Sequence, residues 1–159
     1  MNGIEIVRFR RELAAAFRQL NLDWIERLFA VETADRVVLD DPEPAIIAPG
    51  GQILFALEAG RPVGTVAMIR VSEKRYELAK MAVAPLHQGR GIGLQLGVAA
   101  IAFAREAGAD LVFLQTNSRL AGAIRLYERM GFRQRPDPHP SEYARADYYM
   151  ELPIEDSRS

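Results

Sequence analysis

Residues 77–93 read Glu77-Leu78-Ala79-Lys80-Met81-Ala82-Val83-Ala84-Pro85-Leu86-His87-Gln88-Gly89-Arg90-Gly91-Ile92-Gly93, and the fold turns on this stretch. Tyr76 to Val83 reads as a strand, and Ala84-Pro85 ends its ladder because proline has no amide hydrogen to donate. Gly91 to Ala107 reads as a helix: Ile92, Leu96, Ala100 and Phe103 recur about every four residues, and Gly108 sits where a C-terminal cap belongs. A strand, a glycine-rich turn and a helix N-terminus in succession make an anion site, since unpaired amide N–H groups and the helix dipole both favour phosphate. Gly89, Gly91 and Gly93 permit unusual dihedrals and leave no Cβ between the amides and a bound pyrophosphate.

Downstream, Leu111-Val112-Phe113-Leu114 is a wholly apolar run suited to a buried central strand. A helix through Met130 follows, capped by Asn117 or Ser118, with Leu120, Ala123, Ile124, Tyr127 and Met130 on its packed stripe and Gly131-Phe132 ending it. Pro136 to Pro140 is a loop, and Tyr143 to Leu152 returns as a last strand. Upstream, Ile4 to Arg8 suits a first strand, and Leu13, Phe17, Leu20, Trp24 and Leu28 give one or two amphipathic helices between Arg11 and about Ala30. Thr33 to Leu39 extends the helical region, and a loop is expected from Asp40-Asp41-Pro42-Glu43-Pro44 through Gly51. Ile53 to Leu57 and Val63 to Ile69 form a hairpin across Glu58-Ala59-Gly60-Arg61. Strands alternating with helices, without an internal repeat, make a mixed α/β fold in one domain spanning residues 1–159.

With 49% hydrophobic and 26% charged residues the composition is that of a globular protein, and a net charge of −1 supplies no global field to draw nucleic acid or an anionic membrane. Neither partner is expected. The absence of cysteine excludes disulfides, thiolate metal sites and a cysteinyl-enzyme, and two isolated histidines, His87 and His139, complete no metal-ligand spacing. No metal is expected. The start Met1-Asn2-Gly3-Ile4-Glu5 lacks a basic segment followed by an apolar core, so a cytoplasmic location is expected.

Two familiar phosphate loops do not fit the turn. No Gly-Lys-Ser/Thr triplet follows a glycine and four spacers, and the third glycine of a dinucleotide fingerprint falls at Leu96, with Gly97 one residue late. Residues 77–93 closely resemble instead the signature of the GNAT acetyltransferases, whose Gln/Arg-x-x-Gly-x-Gly/Ala core is met by Gln88, Gly91 and Gly93. The segment from Asn117 to Phe132 is similar to the family's second landmark: an asparagine after the fifth strand, then Ala-x-x-Leu-Tyr at Ala123 to Tyr127, then Gly131-Phe132.

This resemblance, which covers about Ile4 to Leu152, implies a mixed, mostly antiparallel sheet of about seven strands flanked by about four helices, with strands four and five splayed. It implies acetyl-CoA as cosubstrate, its pantetheine arm in the gap against Met81 and Val83, with cofactor contacts also from Ala82, Gln88, Gly89, Arg90, Gly91, Ile92, Gly93, Asn117, Ala123 and Tyr127. A bulge in the fourth strand aims an N–H at the thioester oxygen, with Met81 or Ala82 as candidates. Tyr127 matches the family tyrosine near the CoA sulfur that acts as general acid, and Glu77 matches a frequent position for the carboxylate that deprotonates the amine.

Plain chemistry demands such a base, because an amine of pKa about 10.4 is protonated near neutrality and must lose a proton before attacking a thioester. Glu32, Asp40 and Asp41 are the other carboxylate candidates, and His87 reads as a loop histidine. Asn117 caps a helix or touches cofactor, and Arg90 meets phosphate or solvent. Trp24, Tyr143 and Arg145 are candidates for the acceptor pocket, with Arg145 placed to meet a substrate carboxylate. The expected activity is N-acetyl transfer from acetyl-CoA to the primary amine of a small molecule or peptide; the alternative is an acyl-CoA-binding sensor without turnover. A homodimer through the final strand is also expected.

Overall fold

The structure is a computed structural model that describes residues 3–138 and 144–155. Its centre is a seven-stranded sheet in the order β1-β2-β3-β4-β5-β7-β6. The strands are β1 (Ile4–Arg8), β2 (Gln52–Glu58), β3 (Arg61–Arg70), β4 (Arg75–Val83), β5 (Leu111–Thr116), β6 (Arg133–Gln134) and β7 (Tyr148–Pro153). Every adjacent pair is antiparallel except β4 and β5. The helices are α1 (Ala14–Leu28), α2 (Thr33–Asp40), α3 (Ile92–Glu106) and α4 (Ala121–Met130). Among the described residues no helix is long and apolar enough to cross a membrane.

Alternation along the strands supplies two cores, one on each face of the sheet. Leu54, Ala56, Val66 and Met68 point to one face and meet Ile92, Leu96 and Ala100 of α3. Ile53, Phe55, Leu57 and Ala67 point to the other, where Phe17, Leu22 and Ile25 of α1 and Leu39 of α2 cover them. The β2–β3 hairpin turns on Ala59 and Gly60, both at positive φ (50° and 78°), which matches the twist of the flanking strands.

The parallel pairing of β4 and β5 is short: only Arg75–Glu77 face Leu111–Phe113. Beyond Glu77 the strands part. β5 continues against β7 through Leu114↔Met150, Gln115↔Tyr149 and Thr116↔Tyr148, whereas β4 bends at an irregularity in its pairing with β3. Ala79 pairs with Ala67 and Ala82 with Thr65, so two residues advance on β3 while three advance on β4. The inserted residue makes a bulge at Lys80-Met81, with Lys80 at φ 55°. Side-chain direction shows the same slip: Tyr76 and Leu78 join the α3-side core, and after the bulge Met81 and Val83 do so instead of residues 80 and 82.

Several local expectations need correction. The loop expected from Asp40 to Gly51 contains a π-helical turn, Glu43–Ile47. Prolines 42 and 44 stand at its start, where their missing N–H groups are needed least, and Ile46, 1% exposed, anchors it on the sheet. Neither Asn117 nor Ser118 caps α4, whose N-cap is Leu120. Both are occupied in tying the end of β5 to residues 145–147: Asn117 Nδ2 donates to the Arg145 carbonyl at 2.6 Å, and Ser118 N–H and Oγ–H donate to Asp147 at 2.7 and 2.9 Å. The last strand accordingly starts at Tyr148, not near Tyr143, which lies outside the described residues with His139. Nor is it an edge strand: β7 lies between β5 and β6, so the open edge expected to support dimerisation belongs to the two-residue β6.

Candidate active site

The splay of β4 from β5 opens a cleft of about 1310 Å³ that crosses the molecule from the turn before α3 to the C-terminal end of α1. One end is made by residues adjacent in sequence. Gly91 caps α3 at φ 80° with no side-chain hydrogen bond, and the first bond of the helix runs from Gln95 N–H to the Gly91 carbonyl at 3.1 Å. The amides of Ile92, Gly93 and Leu94 thus stand ahead of the helix's own hydrogen bonds, at a helix N-terminus that lines the cleft.

The three glycines divide into two kinds. Gly89 and Gly91 adopt positive φ (81° and 80°) with open space where a Cβ would stand, so what they contribute is conformation. Gly93 is ordinary helix, and a Cβ there would meet Leu126 Cδ2 at 2.9 Å, so its role is close packing of α3 on α4. Of the three, Gly93 alone has ordinary helical dihedrals rather than the unusual ones expected of it. Gln88 turns its side chain back, donating from Nε2 to the Val83 carbonyl at 3.1 Å and closing the turn on the end of β4.

Arg90, expected at a phosphate, is directed elsewhere. Its guanidinium pairs with Glu58, which also contacts His87 Nε2 at 3.2 Å, and Arg90 does not line the cleft. The Arg90 hydrogen bond, with its charge and that of His87 adding, outweighs desolvation and lowers the Glu58 carboxyl. Glu58, at the end of β2, therefore clasps the glycine turn from outside. Arg119, Arg125 and Arg129 line the cleft, where Glu77 is the one carboxylate among the described lining residues, a balance suited to a polyanionic ligand.

Midway along the cleft, Met81 of the bulge and Tyr127 of α4 both pack on the α3-side core and border the open space. Ala82 has returned to the β3 ladder opposite Thr65, so of the two bulge candidates Met81 is the one left without a register partner. The ring of Tyr127 meets Phe132 edge-on at 6.3 Å, and its hydroxyl has no hydrogen-bond partner among the described residues. Burial pushes this phenol up to about 12, so it keeps its proton throughout the neutral range. Val83, Ile92, Asn117 and Ala123 also line the cleft, with Ile92 almost wholly buried.

The far end is assembled from three separated segments. Asp35 of α2, 0% exposed, receives Lys80 Nζ at 2.8 Å and Arg145 Nη2 at 2.5 Å on one oxygen, and Arg145 Nη1 at 2.9 Å and Glu32 N–H at 2.8 Å on the other. Arg145 also reaches Glu32 at 3.1 Å, and Glu32 accepts the Ala144 N–H at 3.0 Å. Burial acts to raise the Asp35 carboxyl, but hydrogen bonds from Arg145, Lys80 and the Glu32 backbone prevail and bring it down to about 2. Desolvation lowers the Lys80 ammonium, with the Asp35 hydrogen bond and charge opposing that shift. A left-handed non-glycine residue costs about 1–3 kcal/mol, so the surroundings must hold Lys80 in place.

Two acceptor-site expectations change here. The Arg145 guanidinium is engaged by Asp35 and Glu32 rather than presented to a substrate carboxylate, and Glu32 is bound on both oxygens. Asp40 pairs with Arg18 at 2.8 Å, and neither it nor the exposed Asp41 lines the cleft. Glu77 does line it, beside Trp24, Phe29 and Lys80. Lys80, Asp35 and Glu58 were missed from sequence. The available signal was at Lys80, which would occupy the buried phase of a strand that otherwise alternates Tyr76, Leu78 and Ala82.

The sequence profile of the acetyltransferase (GNAT) family matches residues 13–132, three quarters of the chain. The chain belongs to the GNAT acetyltransferases. Among curated relatives, it is 33% identical over 107 residues to N-acetyltransferase 8B of Rattus norvegicus, covering 64% of this chain and 48% of that protein. It thus spans about half the length of such relatives. Among solved structures, this GNAT chain shares its fold with a GNAT-family acetyltransferase from Staphylococcus aureus Mu50, with a TM-score of 0.86 at 21% identity over 96% of this chain and 99% of that one. A putative acetyltransferase from Salmonella typhimurium, solved with its cofactor acetyl-CoA, gives 0.72 at 23% identity over 96% and 94%. In this GNAT chain the α3 amides, the positive-φ glycines and the arginine-bordered cleft suit an anionic ligand.

Proposed function

We propose that the chain transfers the acetyl group of acetyl-CoA to a primary amine of a small molecule or peptide, by direct attack in a ternary complex. The observation that carries this reading is the single cleft joining the α3 N-terminus to Glu77, with Met81 and Tyr127 between them. The diphosphate rests on the amides of Ile92, Gly93 and Leu94, and the pantetheine arm follows Met81 and Val83 into the gap. The amine enters from the Trp24 and Phe29 side.

Glu77 accepts the proton of the incoming ammonium, directly or through water. As the nitrogen bonds to the thioester carbon, negative charge grows on oxygen, and the Met81 N–H donates to it. Collapse breaks the C–S bond, Tyr127 protonates the departing sulfur, and the second proton shed by the nitrogen passes to solvent, from which the phenolate is reprotonated.

Purified protein given acetyl-CoA is expected to release free CoA thiol only when a suitable amine is added, and a thiol-trapping dye follows this continuously. CoA binding at normal affinity with no release across polyamines, amino acids, aminoglycosides and peptides would defeat the enzymatic reading and leave a sensor.

A further inference from the structure

Lys80 presents a paradox: it is an L-residue with a long charged side chain, held at φ 55° in the middle of a strand, with only 6% of that side chain exposed. Glycine would accept this backbone without strain, yet glycine would equally accept others. What singles out the left-handed state here is the far end of the side chain, fixed on Asp35 at 2.8 Å. Asp35 is a rigid anchor in its own right, because Arg145 and the Glu32 N–H hold both its oxygens whether or not Lys80 is present. If residue 80 left the left-handed region, the inserted residue of the bulge would be absorbed differently and the Met81 N–H would turn with it.

We propose that Lys80 is a positioning residue for acyl transfer: its buried ion pair with Asp35 holds the β4 bulge so that Met81 presents its N–H to the gap between β4 and β5. The proposal rests on the reading of Met81 as the oxyanion donor. The ammonium itself touches neither acetyl group nor amine; it acts through the backbone. The same anchor joins α2 and the segment at Arg145 to the bulge, so the elements bordering the acceptor end share one fixed point with the acyl-transfer geometry.

The test compares Lys80→Ala with Lys80→Gly. Both lose the ion pair, but only glycine can occupy φ 55° freely. Lys80→Ala is expected to lose about 10²-fold in kcat, the scale of a misplaced catalytic group, with the KM for acetyl-CoA little changed. Lys80→Gly, free of the strain but without the ion pair that selects φ 55°, is expected to recover part of that loss. Crystal structures of the variants supply a readout that needs no activity: residue 80 keeps positive φ as glycine and leaves it as alanine. Equal kcat losses, a loss confined to the acetyl-CoA KM, or positive φ retained in Lys80→Ala would each overturn the proposal. Should Lys80→Ala fail to fold, Lys80→Met keeps the aliphatic stem and carries the same comparison. Wild-type protein without amine-dependent thiol release would count against the proposed activity, while the backbone readout would still decide the positioning role.

Discussion

The two ends of the cleft are built on opposite principles. The end proposed for the CoA phosphates comes from one run of sequence, Val83 to Leu94, in which a strand stops, two glycines adopt positive φ and a helix begins. Its binding groups are backbone amides, and almost any side chains outside the glycines leave them in place. The end proposed for the acceptor joins Glu32 and Asp35, Lys80, Asn117 and Arg145 through side-chain hydrogen bonds spanning up to 113 residues of chain. Backbone sites made locally tolerate change in the rest of the molecule, whereas a buried charge network fails as a unit when one member is removed.

The largest test of that contrast is Asp35→Asn, which leaves Lys80 and Arg145 facing each other without their shared counter-charge. It is expected to destabilise the fold by about 3–5 kcal/mol at neutral pH in denaturant unfolding. The gap should also depend on pH with a definite sign. The folded carboxyl is depressed to about 2, so its contribution is fully present above the unfolded value of about 3.9 and is lost as the pH falls through about 2. Wild type and variant should therefore converge in acid, and a gap that stays constant from pH 7 to 2 would show that the network carries no such charge coupling.

The next test lies between the two ends. Tyr127→Phe is expected to reduce kcat by about 10²-fold, as for loss of a general acid, while acetyl-CoA affinity by calorimetry holds. Ultraviolet titration of the wild type should show Tyr127 un-ionised at pH 10, since burial holds it near 12. A variant that turns over normally would remove the phenol from the mechanism and weaken the case for catalysis in this part of the cleft.

The smallest expected effect is at the local end. Arg90→Ala removes a side chain from the glycine turn itself, yet Arg90 faces Glu58 outside the cleft. The KM for acetyl-CoA should change about fivefold at most, the scale of a partly exposed ion pair. A much larger rise would mean that the side chain swings to a phosphate when the ligand arrives, and would break the claim that this end works through backbone alone.

The difference between the ends also explains what reading the chain could reach. The strand before Pro85, the helix from Ile92 and the left-handed glycines follow from neighbours in sequence, and α/β order with two apolar faces follows from periodicity. Tyr127 was singled out because it sits on a helical stripe inside a family landmark, and the structure puts it on the cleft. The start of α4 and the role of Asn117 were misread because residues 145–147, far along the chain, compete for the same side-chain atoms. Arg145 was expected to face substrate because its partners Glu32 and Asp35 are remote in sequence and nothing local announces them.

What the sequence by itself determined is the part whose energetics are local: turn dihedrals, helix start and stop, and the alternation that gives each strand its buried face. Tertiary structure alone decided where the sheet splits and where β4 bulges. Beside that bulge Lys80 meets Asp35 across 45 residues, in buried surroundings whose low dielectric strengthens the attraction. Because the pairing forms only on folding, a lysine in a strand looked unremarkable in the sequence and stands at the β4 bulge in the fold.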